Sequence, residues 1–274
     1  MSRTGRPETM MTPGDYEVLA VRYGTRETCA SQVYLNWFQY GEPDYPLAMD
    51  YYVWLVRGRG RLILVDTGFT PEVGAQRGRT TTVPPLAALK RLGVAPAEVD
   101  TVVVTHGHYD HTGHVFAFPD AELVMSGREL DFWAGPYSRR PQFAHSAERA
   151  DLDELVRRDQ QGRVQRLSGR QAVAPGVVVR EVGGHTPGQL IVEVEGRDGP
   201  VVLASDAVHY YEELERDRPF VVVADLQAMY AGFDTVADLA GAPGAVLVPG
   251  HDPLVMQKFE PVDPVAPGLA VRIG

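Results

Sequence analysis

The chain has 274 residues, 44% of them hydrophobic and 23% charged, a composition typical of globular proteins and long enough for a sizeable core. Its 26 basic and 36 acidic residues leave a formal charge of −10, which argues against a general nucleic-acid-binding or anionic-membrane surface. The lone cysteine, Cys29, excludes an internal disulfide; with no signal-like start and no apolar run near the about 18 residues of a membrane span, a cytoplasmic location is expected.

Residues 1–14, rich in proline, glycine and polar side chains, are expected to form a flexible N-terminal tail ahead of a single domain over 15–274. Segments 16–23 and 51–56 alternate or run apolar and read as strands. Between them, 34–51 carries Trp37, Phe38, Tyr40, Tyr45 and two prolines, too irregular for a strand. Its aromatics are expected either to pack on the core or to wall a substrate pocket. Next come a buried strand over 61–65, a helix over 84–92 stopped at Gly93, and a strand over 99–105. The polar, helix-prone stretch 127–160, broken at Gly135-Pro136 and Pro141, is a candidate helical cap insertion. Beyond it, 177–182, 190–195, 200–205 and 245–248 read as strands and 226–239 as a helix. Leu62-Ile63-Leu64-Val65-Asp66 parallels Val202-Leu203-Ala204-Ser205-Asp206, and Val102 to His106 parallels Leu247 to His251. The repeat suggests two related β/α halves facing each other.

The densest chemistry follows the 99–105 strand. Thr105-His106-Gly107-His108-Tyr109-Asp110-His111 places three imidazoles and a carboxylate within six positions. A strand ending there delivers its polar terminus into a loop where these groups can converge, and imidazole with carboxylate suits zinc, iron or manganese. Three later strand exits beside glycine or proline repeat the pattern: His185 in Gly183-Gly184-His185-Thr186-Pro187-Gly188, Asp206 after Ser205, and His251 after Pro249-Gly250. Five of the eight histidines occupy these places, which makes a chance cluster of solvated side chains a poor account of them.

On these residues the chain resembles the metallo-β-lactamase superfamily. His106-x-His108-x-Asp110-His111, then His185, Asp206 and His251, stand in the family's order, and Asp66-Thr67-Gly68 is similar to its early Asp-x-Gly turn. The resemblance spans roughly residues 50–255. It implies a four-layer αββα sandwich, of α+β or α/β class, with a dinuclear metal centre at one edge. By the same resemblance His106, His108 and His185 hold the first of two divalent ions, and Asp110, His111 and His251 the second, with Asp206 bridging them. Zinc is the first expectation, with iron, manganese or cobalt as alternatives. Such centres hold their ions about 3.5–4 Å apart around a shared hydroxide that attacks a carbonyl, and Asp110 would shuttle the proton. Asp66 is expected either to orient a ligating imidazole or to serve only as a turn residue. His114 stands where many members carry a second glycine, and Ser205 where glycine is frequent; neither removes a ligand.

Within the superfamily, a bridging Asp206 argues against a true β-lactamase, and His108 against the di-iron electron-transfer branch. The acidic charge argues against RNA processing. The chain is most similar to N-acyl-homoserine lactone lactonases, in which a tyrosine three positions after the bridging aspartate assists the substrate carbonyl. Here that place is His209, followed by Tyr210, so Asp110, His209 and Tyr210 are the catalytic candidates. The resemblance implies opening of a lactone. A glyoxalase-II-like thioesterase or other ester or amide hydrolase is the alternative, and an iron-dependent persulfide-oxidising enzyme the remaining one. The expected partner is a small-molecule lactone or ester, with no nucleic acid or membrane and a homodimer as the candidate assembly. His114 and His145 are expected to be structural or solvated.

Overall fold

The computed structural model describes residues 16–262 and 268–274; the expected tail over 1–14 lies outside them. Alternation along the first strand, Tyr16–Cys29, sets the architecture. Val18 and Ala20 belong to one buried cluster, Leu19, Val21 and Tyr23 to another. Successive side chains leave a strand on opposite faces, so a strand apolar on both lies between two layers.

The first sheet runs edge to edge through Glu260–Pro261, Ala270–Arg272, Tyr16–Cys29, Pro46–Gly58, Arg61–Val65, Thr101–Val103, Glu122–Ser126 and Val164–Leu167, with Thr80–Thr81 paired to Tyr16–Cys29 off this path. The second runs through Val246–Pro249, Pro200–Ser205, Leu190–Glu195, Val177–Glu181 and Arg170–Ala174. Val18, Trp54 and Val65 of the first sheet share a core with Val192, Val201 and Leu203 of the second, so the sheets face each other. Outside the first sheet, Leu89, Leu130, Trp133, Leu152 and Leu155 pack against Leu55, Leu64 and Val102. Outside the second, Met229, Phe233 and Val236 of the helix Leu226–Ala240 cover Ile191, Val202 and Ala204. The order is therefore helix, sheet, sheet, helix, the αββα sandwich that the resemblance implied. Each fully buried large side chain contributes about 1.5–3 kcal/mol relative to exposure. No helix among the described residues is long and apolar enough to cross a membrane.

Several boundaries differ from the sequence expectations, for identifiable reasons. The first strand continues past Tyr23 to Cys29 through a register shift between Arg22 and Gly24. The second begins at Pro46 rather than 51, because a long antiparallel partner supplies the ladder that the aromatic segment lacks by itself. The 99–105 strand narrows to Thr101–Val103, since the Thr105 amide leaves the ladder for the Asp66 carboxylate. Glu122–Ser126, Val164–Leu167, Arg170–Ala174 and Ala270–Arg272 are strands without a clear period in the sequence.

The segment 127–160 supplies the helices Gly127–Ala134 and Arg149–Gln160, broken at Gly135-Pro136 and Pro141, whose buried side chains join the core outside the first sheet. The repeat between halves is visible in the topology: Arg61–Val65 lies parallel to Thr101–Val103, and Pro200–Ser205 parallel to Val246–Pro249. The halves do not divide along the chain, because Ala270–Arg272 returns to pair with Tyr16–Cys29.

Candidate metal centre

Four strand exits meet at one edge of the sandwich. Nitrogen or oxygen atoms of His106, His108, His185 and Asp206 all lie within 4.8 Å of one another, and so do those of Asp110, His111 and His251. All seven side chains are buried. Asp206 sits between the groups. Its Oδ2 is 3.3 Å from His185 Nε2 and 3.8 Å from His106 Nε2, while its Oδ1 is 3.3 Å from His111 Nε2 and 3.1 Å from His251 Nε2.

Three of the imidazoles are held by the nitrogen that faces away from the cluster. His111 Nδ1 contacts Asp66 Oδ2 at 2.7 Å, His185 Nδ1 donates to the Val222 carbonyl at 2.8 Å, and His251 Nδ1 to the Asp50 carbonyl at 2.8 Å. Such anchoring fixes the tautomer and leaves the opposite nitrogen's lone pair directed inward. Among the described residues the Nε2 atoms of His106 and His111 are buried with no hydrogen-bond partner. A buried polar atom without a partner is costly. The five imidazoles and Asp110, in two triads around the shared Asp206 carboxylate, form a donor set that suits two divalent cations. Burial and the neighbouring imidazoles hold His106 well below the usual histidine range, and burial brings His108 down to about 3, so both stay neutral. Burial alone would raise Asp206, but the imidazoles around it, His251 and His111 first, hold it well below the usual carboxylate range.

Asp66, fully buried, has a left-handed backbone at φ 61° and accepts from the Thr105 amide (2.8 Å) and hydroxyl (2.7 Å) as well as holding His111. Thr67 reinforces the turn by donating from both its amide and its hydroxyl to the His111 carbonyl at 2.9 Å. Ser205 also has φ > 0 (46°), which explains why glycine suits that place; its hydroxyl lies 2.9 Å from that of Thr105.

One residue of this support escaped the sequence reading. Glu129, fully buried in the helix Gly127–Ala134, accepts from the Gly107 amide (3.0 Å) and the Trp133 indole (2.7 Å) on one oxygen and from the Gly188 amide (2.8 Å) on the other. It therefore ties the loop of His106 and His108 to the loop of His185. The two glycines are needed for that approach: a Cβ at 107 would fall 2.1 Å from the Trp133 indole nitrogen, and one at 188 would fall 2.4 Å from Ser126 Oγ. The sequence signal was Gly107 and Gly188 flanking the ligand positions, which does not say what approaches them.

A cavity of about 260 Å³ opens onto the cluster. His209 faces it, fully buried, with Nε2 3.1 Å from Asp206 Oδ2 and Nδ1 3.3 Å from Glu213 Oε1, although neither nitrogen is aligned for a hydrogen bond. Its ring stacks on Phe220 at 3.8 Å. Burial lowers its pKa, while Glu213 first and then Asp206 carry it up to about 9. Tyr210 is turned away. It is the extended N-cap of the helix Tyr211–Arg216 (φ −131°, ψ 148°), and its hydroxyl donates to the Ala48 carbonyl at 3.1 Å. Adjacent side chains on extended backbone diverge, so His209 and Tyr210 do not share a site.

Of the aromatic segment, Met49 and Tyr51 line the cavity, while Trp37 packs against Tyr34, Tyr40 and Tyr45. His145, expected to be structural or solvated, stands at the cavity wall with Ser146; His114 is partly buried with its Nε2 unpartnered. Cys29 takes no part in the cluster, its sulfur lying 3.4 Å from Ser31 Oγ.

Comparison with known proteins accords with this geometry. A sequence model described as the metallo-beta-lactamase superfamily matches residues 49–251. An N-acyl homoserine lactonase from a Bacillus species is 30% identical over 149 residues, 54% of this chain and 50% of that protein. The N-acyl homoserine lactonase AttM of Azorhizobium caulinodans is 28% identical over 188 residues, 64% of this chain and 66% of that protein. The matches thus span about half to two-thirds of those relatives' lengths. The crystal structure of an N-acyl homoserine lactone hydrolase, with N-hexanoyl-L-homoserine bound at its catalytic metal centre, superposes with a TM-score of 0.75 at 19% identity, covering 91% of this chain and 98% of the other. The chain belongs to the metallo-beta-lactamase superfamily.

Proposed function

We propose that this member of the superfamily is a dinuclear-metal hydrolase that opens a lactone of the N-acyl-homoserine-lactone kind. The observation that carries the reading is the position of Asp206, whose two oxygens face different imidazole groups. In this reading His106, His108 and His185 hold one ion, Asp110, His111 and His251 the other, and Asp206 both. Zinc is the metal that imidazole and carboxylate donors suit best. When bound, two such ions supply Lewis-acid polarisation of a carbonyl and a water acidic enough to ionise near neutral pH.

The chain's own residues do the rest. Asp66 holds the His111 ring at 2.7 Å and so fixes which of its nitrogens faces inward. Asp110, at the cavity wall, is placed to take a proton from the attacking water and return it to the leaving oxygen. His209, facing the same cavity with Nε2 3.1 Å from Asp206 Oδ2, is placed to donate a hydrogen bond to the substrate carbonyl. This is the task that the resemblance gives to a tyrosine. The lactonases among the similar proteins support lactone over thioester as the substrate.

The test is metal analysis joined to a panel of lactone, thioester and phosphodiester on reconstituted enzyme. Two ions per chain and lactone turnover are expected, with Asp206→Ala losing both. A single iron with oxygen uptake, or full two-metal occupancy and turnover in Asp206→Ala, would overturn the reading.

A further inference from the structure

The cavity over the candidate centre carries more positive charge than a neutral acyl lactone requires. Arg26, Arg77 and Arg79 line it together with Asp110 and Asp206, in a chain whose formal charge is −10. Arg77 already has partners: its guanidinium lies 2.7 Å from Glu148 Oε1, donates to the His145 carbonyl at 2.6 Å, and sits 4.2 Å from the centre of the Tyr109 ring.

Arg26 and Arg79 lack such a carboxylate partner. Among the described residues neither forms an ion pair with a carboxylate. Arg79 donates from Nε to the Tyr109 hydroxyl at 3.1 Å and from Nη1 to the Arg77 carbonyl at 2.6 Å, leaving Nη2 unused. Arg26 makes one long bond, from Nη2 to Thr28 Oγ1 at 3.3 Å, and its Nε is buried without a partner. The Tyr51 hydroxyl, on the same cavity, is likewise buried without a partner. Tyr51, Arg26 and Arg79 line the same cavity, so the three groups surround one space. Asp110 attracts Arg79 without pairing with it. Partly dried guanidiniums with no carboxylate in direct contact are unfavourable, and a planar fork of N–H donors matches a carboxylate or phosphate.

We propose that Arg26, Arg79 and the Tyr51 hydroxyl form an anion subsite beside the centre, and that the substrate carries a carboxylate or phosphate remote from the bond to be hydrolysed. The reacting bond rests on the hydrolase reading above; the subsite does not. Arg79 reaches the subsite from beside Tyr109, next in sequence to Asp110, so the anion is expected at the end of a short acyl arm rather than of a long tail. An unsubstituted alkyl chain in this space would leave both guanidiniums unpaired.

The test compares N-hexanoyl-homoserine lactone with its adipoyl and ω-phosphate counterparts on metal-reconstituted enzyme. One charged lactone is expected to exceed the neutral one by about 30-fold in kcat/KM, mainly through KM and falling with salt. The identity of the favoured one distinguishes carboxylate from phosphate. Arg26→Gln and Arg79→Gln should each shrink the ratio about 5-fold, Arg79→Lys should keep part of it, and the double Gln variant should bring it near one. A ratio near one in the wild type, or unmoved in the double variant, overturns the subsite. Calorimetric titration with the ring-opened N-adipoyl- and N-hexanoyl-homoserine reports the subsite without turnover. Tighter binding of the charged product, lost in the double variant, supports it, and equal binding refutes it. Should that difference appear while no lactone is hydrolysed, the hydrolase reading falls and the subsite stands.

Discussion

Replacing Glu129 with Gln changes one oxygen to an NH2 group at nearly constant volume, which isolates the role of the carboxylate. In the wild type one oxygen serves Gly107 and Trp133 and the other serves Gly188, at 3.0, 2.7 and 2.8 Å. The amide can keep only one of these faces. Its better orientation retains the first pair and sets its NH2 against the Gly188 amide, leaving two buried donors facing each other at about 1–3 kcal/mol each. A neutral amide is easier to bury than a carboxyl whose pKa burial has pushed up, which offsets part of that cost. The expected net loss is about 3 kcal/mol, read as a lower urea midpoint at unchanged slope. Because the same contacts join the two ligand-bearing loops, affinity for metal should fall about 10- to 100-fold in chelator competition. A midpoint shift worth under about 0.5 kcal/mol together with wild-type metal affinity would refute the account.

Four further substitutions probe other parts of the structure. Asp66→Asn removes one of the two oxygens that serve Thr105 and His111, and should weaken metal binding about 10- to 100-fold; unchanged affinity would reduce Asp66 to a turn residue. His209→Asn should lower kcat at least about 10-fold, whereas Tyr210→Phe, which loses one bond to the Ala48 carbonyl, should cost about 1 kcal/mol of stability with little effect on kcat; the reverse pattern would contradict the side-chain directions. Burial, with Glu148 adding to it, raises Asp151 from 3.8 to about 6, so the folded chain binds that proton more tightly than the unfolded one. Stability from this group is therefore complete below pH 3.8 and is lost as pH rises to about 6. Asp151→Asn should raise the unfolding midpoint at pH 8 by up to about 1 kcal/mol, solvent screening included, and give no gain at pH 3.5; a loss at pH 8 would reverse the sign of the argument.

The strands over 61–65, 190–195 and 200–205, and the cluster from His106 to His111, could be read in the sequence because local rules govern them. A short continuous apolar run marks a strand buried on both faces, and a ligand-rich loop after it needs only a few adjacent positions. The same rules underread 46–50 and 270–272, which become strands only beside Tyr16–Cys29. Partner choice across the chain carries no local signature. Glu129, Arg26 and Arg79 were silent for the same reason: a buried carboxylate and an unpaired guanidinium are defined by what surrounds them.

His209 and Tyr210 show the limit most sharply, since the two are adjacent and both chemically suited to the task. The sequence by itself determined the donor types and their order along the chain. Only the tertiary structure decided that His209 faces Asp206 while Tyr210 bonds to Ala48, because the start of the Tyr211–Arg216 helix sets the turn and an extended backbone sends neighbours opposite ways.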